Sequence, residues 1–187
     1  CTVLDGCIYV SASLEHPGVL VQHGPILRVV FGPRDPSYIS PILSAIQSDL
    51  CESGIDGVLS THIQRDALEK FSYVSPIGAA GVYLHAVAGD FQKEGPAREL
   101  FKSMIREISA LAAAMGYPFE KDYVKINLEI LSNLSADATT SMQRDIMEGK
   151  PSELDGLVME PLRLAKKYSV SMPCYEEVAK VLCPLEF

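Results

Sequence analysis

The chain has 187 residues, of which 48% are hydrophobic, and its 16 basic against 24 acidic residues give a formal net charge of −8. This length can bury one core plus an appendage, and the apolar content excludes a disordered chain. The negative charge argues against nucleic acid as a partner, and no apolar run approaches the roughly 20 residues that cross a bilayer.

The residue pattern in the first part of the chain predicts β structure. Runs rich in β-forming residues are separated by turns at His16-Pro17-Gly18 and His23-Gly24-Pro25. The three predicted strands are residues 7–13, 18–22 and 26–31. Strands this short do not make an independent domain with so little else to pack on. We therefore interpret residues 1–35 as the edge of a sheet whose remainder is absent.

From Asp35 onward the apolar residues recur at helical spacing, with one short β-like piece at residues 57–59. Gly95-Pro96 ends one helical segment and begins the next, which stops at Gly116. The predicted helices are residues 41–51, 61–87, 96–115, 121–133, 141–148, 152–168 and 173–182. The sequence thus predicts a mainly α protein, in which a short β fringe precedes a helical domain at residues 36–187.

The cysteines and histidines indicate the redox state of the cellular compartment and whether the chain binds a metal ion. The five cysteines form no CxxC pair, and the four histidines are scattered. An odd number of widely spaced cysteines favours free thiols in a reducing compartment, so we expect a cytoplasmic protein without zinc. No signal peptide is visible. Because the chain opens without Met and almost directly in a strand-like run, we expect its true start to lie upstream.

The long predicted helix carries a lysine on its apolar face. The residues of this face, at steps of four and three, are Ile63, Ala67, Lys70, Val74, Ile77 and Gly81. Periodicity alone favours a lysine at the border of the stripe, whose stem packs while its ammonium reaches water. The alternative is a partly desolvated lysine that donates a proton or binds an anion. Pro76 removes a backbone hydrogen bond from this helix and should kink it.

Two predicted helix starts carry polar residues, and the first of them suits an anion. Thr140 and Gln143 have the spacing of a capping box, which places Ser141 in the first turn, where free N–H groups favour negative charge. Residues 152–155 resemble a second cap and include Glu153. Polar residues gather at helix starts for capping alone, so these patterns are usually structural. Neither GxGxxG nor GxxxxGK[ST] occurs, so a recognisable nucleotide-binding motif is absent from the chain.

Taken together, several stretches resemble the ketopantoate reductase (2-dehydropantoate 2-reductase) family. Residues 141–155 are similar to its SSMxxDI…G(R/K)xTEID signature, and residues 165–173 fit the helix, turn and proline that follow. Residues 6–19 resemble the late strands of its nucleotide-binding domain. Leu68-Glu69-Lys70-Phe71 occupies the place of the family's W-x-K-L. The resemblance covers nearly the whole chain.

The resemblance implies a fold and an activity. The fold is a helical substrate and dimerisation domain of the 6-phosphogluconate dehydrogenase C-terminal type, preceded by the last strands of a truncated Rossmann domain. The activity is NADPH-dependent reduction of a 2-oxo acid, with ketopantoate to pantoate, in pantothenate biosynthesis, as the leading reaction. NADP is the implied cofactor, although its main binding motif is absent here. A homodimer through the helical domain is the implied assembly.

The resemblance also assigns roles to residues by their position. Lys70 takes the place of the catalytic lysine, which assists at the ketone oxygen by stabilising the oxyanion and supplying its proton. Ser141 takes the place of a serine that we expect to bind the substrate carboxylate. Glu153 takes the place of a glutamate that we expect to hold a hydroxyl or to steady Lys70 electrostatically. These residues would then be walls of one cleft facing the cofactor.

The chain departs from the family pattern near the lysine. Val74 and Gly78 stand where the family usually places substrate-holding asparagines, four and eight residues after the lysine, and Leu68 replaces the usual tryptophan. Ser72 and Ser75 are the nearby polar residues that we expect to substitute as substrate ligands. Because substrates are distinguished through such hydrogen bonds, another 2-oxo acid remains an alternative.

Two further interpretations remain open. The first is a non-catalytic relative, a helical dimerisation or ligand-binding module, which the missing asparagines favour and the retained Lys70, Ser141 and Glu153 oppose. The second is a generic helical protein with an accidental match to the signature. It predicts that these three residues lie far apart in the structure.

Overall fold

A computed structural model describes residues 2–38 and 40–183 of the chain. The chain forms two compact units, residues 1–67 and residues 68–187. The domain boundary that the sequence suggests, after residue 35, falls inside the first unit and stays a prediction.

The first unit contains a three-stranded sheet and one helix. Strands β1 (Leu4–His16) and β2 (Val19–Pro33) form an antiparallel hairpin, and β3 (Asp56–Leu59) pairs parallel to β2. Parallel neighbours require a crossover connection, which α1 (Pro41–Glu52) supplies. Gly18 has a φ of 87° in the hairpin turn, a left-handed conformation that glycine adopts without strain.

The predicted break at His23-Gly24-Pro25 is wrong, because β2 continues through it. Residues 23–26 have no paired residue on β1, where the register jumps. This insertion is a bulge, and Gly24 within it has a φ of 85°. A proline is tolerated here because a bulged residue lies outside the hydrogen-bonded ladder.

The second unit is helical, which confirms the mainly α prediction. Its helices are α2 (Ile63–Leu84, which begins in the first unit), α3 (Ala88–Gln92), α4 (Pro96–Ala114), α5 (Tyr123–Ser132), α6 (Ser141–Met147), α7 (Glu160–Tyr168) and α8 (Pro173–Leu182). A π-helical turn, Asp155–Met159, leads directly into α7. The short α3 was not predicted. It is separate because His85, with a left-handed φ of 51°, follows the last residue of α2.

The core of the second unit surrounds α4. The α4 side chains that are at most 1% exposed are Phe101, Met104, Ile105, Ile108, Leu111 and Ala112. The ring of Phe101 meets Tyr73 of α2 and Phe91 of α3 edge-on, each at a centroid distance of 6.0 Å. Edge-to-face pairs add about 0.5–1.5 kcal/mol beyond the burial of their area. Phe101 therefore holds α2 and α3 against α4.

Three further findings concern membrane spans, metal ligands and a thiol. Within residues 2–38 and 40–183, every helix is too short or too polar to cross a membrane. The same residues contain no group of three or more His, Cys, Asp or Glu side chains that could hold a metal ion. Burial raises the pKa of the Cys174 thiol to about 11, so this thiol is protonated at neutral pH.

Candidate functional site

Lys70 lies in the second turn of α2 and is half-buried. Val74, Gly78 and Gly81 follow it along one side of the helix, at steps of four, four and three residues. Gly78 and Gly81 are buried. With a rise of about 1.5 Å per residue, Gly78 lies about 12 Å further along the axis than Lys70.

The two glycines let α6 approach this side of α2. A Cβ atom on Gly78 would lie 3.1 Å from the terminal methyl of Met142, and one on Gly81 would lie 2.7 Å from the side-chain amide carbon of Gln143. Larger residues would therefore push the first turn of α6 away. The side of α2 that carries Lys70 thus packs, further along, against the start of α6.

Ser141 is exposed at the first position of α6. The N–H of Gln143 donates to Thr140 Oγ1 at 3.2 Å, and the N–H of Thr140 donates to Gln143 Oε1 at 2.9 Å. The predicted capping box is therefore confirmed. Gln143 Nε2 also donates to the carbonyl of Ala86 at 2.8 Å, which ties the start of α6 to the residues after α2. Binding of a carboxylate by Ser141 stays a prediction.

Glu153 is exposed, and it immediately precedes the helical residues that include the π turn. Its carbonyl accepts a hydrogen bond from the N–H of Leu157 at 2.9 Å. Single π turns inside helices often occur at functional sites. The hydroxyl of Ser75 on α2 donates to the carbonyl of Leu157 at 2.6 Å. The buried hydroxyl of Tyr175 on α8 lies 2.5 Å from the same Ser75 oxygen, to which it donates. Ser75 therefore holds the turn that follows Glu153 against α2.

Ser72 and Ser75 are both 0% exposed. Ser72 Oγ donates to the carbonyl of Glu69 at 2.7 Å and accepts from Asn127 Nδ2 at 3.1 Å. Protein groups therefore engage both serine hydroxyls in this conformation. Substrate binding by Ser72 and Ser75 stays a prediction, and it requires these internal bonds to break first.

Asn127 is a residue that the sequence did not single out. In a regular helix the carbonyl of Ser72 would accept from the N–H of residue 76, but Pro76 has none. Asn127 Nδ2 donates to that carbonyl at 3.0 Å, and its side chain is 1% exposed. The helix continues through Pro76 as one element. Pro76 signals the unpaired carbonyl in the sequence, whereas its partner on α5 is visible only in the fold.

A cavity of about 250 Å³ lies in the second unit. Its walls are mostly apolar side chains, among them Ile77, Phe91, Ile130 and Leu134. Thr140 and Gln143 line it at the start of α6. The cavity therefore adjoins both the Lys70-bearing helix and the residue before Ser141.

The helical region matches a known family. The family described as "Ketopantoate reductase PanE/ApbA C terminal" matches residues 62–186, more than half of the chain. Uncharacterized oxidoreductase YkpB of Bacillus subtilis is 22% identical over 176 residues, which cover 94% of this chain and 58% of that protein.

Solved structures share the fold. 2-Dehydropantoate 2-reductase from Methylococcus capsulatus superposes with a TM-score of 0.86 at 22% identity, over 99% of this chain and 58% of that one. D-Mandelate dehydrogenase with NADH and anilino(oxo)acetate superposes with a TM-score of 0.80 at 18% identity, over 95% and 58% of the two chains.

The chain spans between 51% and 58% of the length of the curated relatives that it matches. The family match begins at residue 62, just before α2, and it contains Lys70, Ser141 and Glu153. An accidental likeness does not account for a match of this extent. This chain belongs to the ketopantoate reductase family and carries that family's C-terminal domain.

Proposed function

We propose that this chain is the substrate side of a nicotinamide-dependent 2-oxo acid reductase, with Lys70 as the catalytic residue. The observation that carries the proposal is the packing around α2. One helix bears Lys70, receives the start of α6 on its glycines and holds the turn after Glu153 through Ser75. This arrangement supports a site in which Lys70, Ser141 and Glu153 serve the same ligand.

Each residue has a distinct task in this proposal. The Lys70 ammonium donates its proton to the ketone oxygen and stabilises the negative charge that develops there. The hydroxyl of Ser141, in the first turn of α6, binds the substrate carboxylate. Glu153 accepts a hydrogen bond from a substrate hydroxyl or steadies Lys70 electrostatically.

NADPH supplies the hydride in the proposed reaction. The chain has no glycine-rich dinucleotide motif, so the residues that hold this cofactor are assigned to a nucleotide-binding half that accompanies this chain. The family likeness makes ketopantoate the reference substrate, with another 2-oxo acid as the alternative, and a homodimer through the helical domain is the proposed assembly. Both the substrate and the assembly are proposed from the likeness to the family.

The proposal is tested by NADPH oxidation with ketopantoate and a panel of other 2-oxo acids. The protein is assayed with its nucleotide-binding half and, in parallel, as the 187-residue chain alone. We expect turnover only when both halves are present, because hydride transfer needs a positioned cofactor. Reduction by the chain alone at rates typical of enzymes would contradict this division of labour. If the protein with its nucleotide-binding half oxidises NADPH with none of the 2-oxo acids, the non-catalytic ligand-binding module is favoured.

The contact between Gly81 and Gln143 gives a structural prediction for the same site. Gly81→Ala should lower the free energy of unfolding by about 1–2 kcal/mol, because the new methyl displaces the hydrogen-bonded amide of Gln143. The matched control is Gly156→Ala in the π turn, where a Cβ meets nothing within 4 Å. Urea unfolding of the two variants should separate them. Equal free energies of unfolding for the two variants would show that the Gln143 side chain moves aside without cost.

A further inference from the structure

We infer that the cavity beside α6 receives the apolar substituent of the 2-oxo acid, so that the preferred substrates are aryl- or alkyl-substituted rather than hydroxylated. This inference deepens the proposed function and rests on it for the position of the reacting carbon. The chemistry of the cavity wall carries it independently of the family likeness.

Three of the four polar side chains at the cavity, those of Thr139, Thr140 and Gln143, are engaged by other protein groups. The amide of Gln143 bonds to Ala86 and Thr140, and the Thr140 hydroxyl donates to Gln143 Oε1 at 3.1 Å. The carbonyl and hydroxyl oxygens of Thr139 accept from Arg144 at 2.8 and 3.4 Å. Thr140 and Gln143 therefore have little capacity left for a ligand hydroxyl, and Thr139 keeps the hydrogen of its own hydroxyl as a donor.

The cavity also presents no charge to a ligand. Among the described residues, none of those that line it carries a charged side chain. Tyr73 is the remaining polar residue of the wall, and burial raises its pKa, so its hydroxyl stays neutral at physiological pH. A hydroxylated substituent would lose its water on entry and would find the Tyr73 hydroxyl as its main hydrogen-bond partner, whereas an apolar substituent would lose no hydrogen bonds.

The volume suits a ring or a branched alkyl group. Enclosed apolar cavities of about 150 Å³ bind benzene. This cavity, which is open to solvent beside Ile130 and Leu134, measures about 250 Å³. The space therefore holds an aromatic ring and the methylene that joins it to a ketone carbon. Pyruvate, whose substituent is a methyl group, would leave most of it unfilled.

The position of the cavity matches the third branch of the ketone carbon. Tyr73 and Ile77 of the wall lie three and seven residues after Lys70, on the same side of α2. Thr140 of the wall immediately precedes Ser141. When Ser141 binds the carboxylate and Lys70 faces the ketone oxygen, the remaining substituent enters the cavity. The residues in place of the family's asparagines, Val74 and Gly78, add no side-chain hydrogen bond on this side of α2.

The first test uses toluene, which has the ring but neither the acid nor the ketone. Titration of the chain, followed by NMR of its methyl groups, should show saturable shifts at Ile77 and Leu134. Ala138→Leu, which fills part of the cavity, should weaken binding at least about tenfold, or about 1.4 kcal/mol. The control Ala113→Leu, at an exposed site on α4, should leave the affinity unchanged. Leu134→Trp, at a position that is 41% exposed, repeats the test if Ala138→Leu does not fold.

The second test compares phenylpyruvate with ketopantoate in the protein that includes its nucleotide-binding half. We expect kcat/KM for phenylpyruvate to be at least about tenfold higher, and Ala138→Leu to remove this preference. A preference for ketopantoate, or a lack of saturable toluene binding, would overturn the inference. Toluene binding without turnover of any 2-oxo acid would confirm an apolar ligand site and show that the proposed function, rather than the character of the cavity, is wrong.

Discussion

Replacement of Lys70 by alanine should lower kcat/KM for the 2-oxo acid at least about a hundredfold, the scale of general-acid catalysis. The assay is NADPH oxidation by the protein with its nucleotide-binding half. The effect should fall mainly on kcat, because the proton and the stabilising charge are needed most as the ketone oxygen becomes an alkoxide. An interaction made chiefly in the transition state leaves KM little changed.

Two further lysine variants separate chemistry from structure. Lys70→Arg keeps the positive charge, but a guanidinium does not give up its proton at neutral pH, so activity should stay far below that of the parent protein. Lys102→Ala removes a partly buried lysine of α4 that pairs with Glu99 at 2.7 Å. That control should retain full activity. Unchanged turnover in Lys70→Ala would remove Lys70 from the mechanism and favour the non-catalytic module.

Local signals in the sequence predicted most helices of the second unit. Gly95-Pro96 and Gly116 mark the two ends of α4 because proline suits a first helical turn and glycine accepts a left-handed backbone, with a φ of 91° at Gly116. The capping box of Thr140 and Gln143 is also a local signal, because its two partners are only three residues apart.

Elements that depend on pairing were harder to predict. The bulge in β2 looks like a strand end because Gly24-Pro25 is a typical turn pair. Only the hydrogen bonds to β1 on either side of it show that the strand continues. The π turn at Asp155–Met159 has no local sequence signal at all. Its carbonyl at Leu157 is held by Ser75, which is 82 residues earlier in the chain.

The same distinction applies to the candidate site. Lys70 was recognisable because a charge on an apolar helix face breaks a local pattern. Ser72 and Ser75 were assigned to the substrate as nearby polar residues in place of the missing asparagines, and this assignment stays a prediction. Their hydroxyls bond to protein groups in this conformation, and Asn127, which bonds Ser72 across 55 residues, could be found only in the fold.

Asn127→Leu should lower the free energy of unfolding by about 2–3 kcal/mol, the upper part of the range for a buried acceptor left without a partner. Leucine has the branching and the number of heavy atoms of asparagine but is bulkier, so the loss combines the hydrogen bonds to the Ser72 carbonyl and hydroxyl with some overpacking. Pro76 is the reason that this carbonyl needs an external donor. Urea unfolding of the chain, with an unchanged slope against denaturant, measures the difference.

A double-mutant cycle with Pro76→Ala isolates this cause. Alanine restores an N–H four residues after Ser72, so the helix can satisfy the carbonyl itself. Asn127→Leu should then cost at least about 1 kcal/mol less in the Pro76→Ala background than in the parent chain. The cavity left by the proline ring occurs in both Pro76→Ala proteins and cancels from the comparison. Additive effects would mean that Asn127 stabilises the fold through packing and its bond to the Ser72 hydroxyl, and that Pro76 in the Lys70-bearing helix needs no partner on α5.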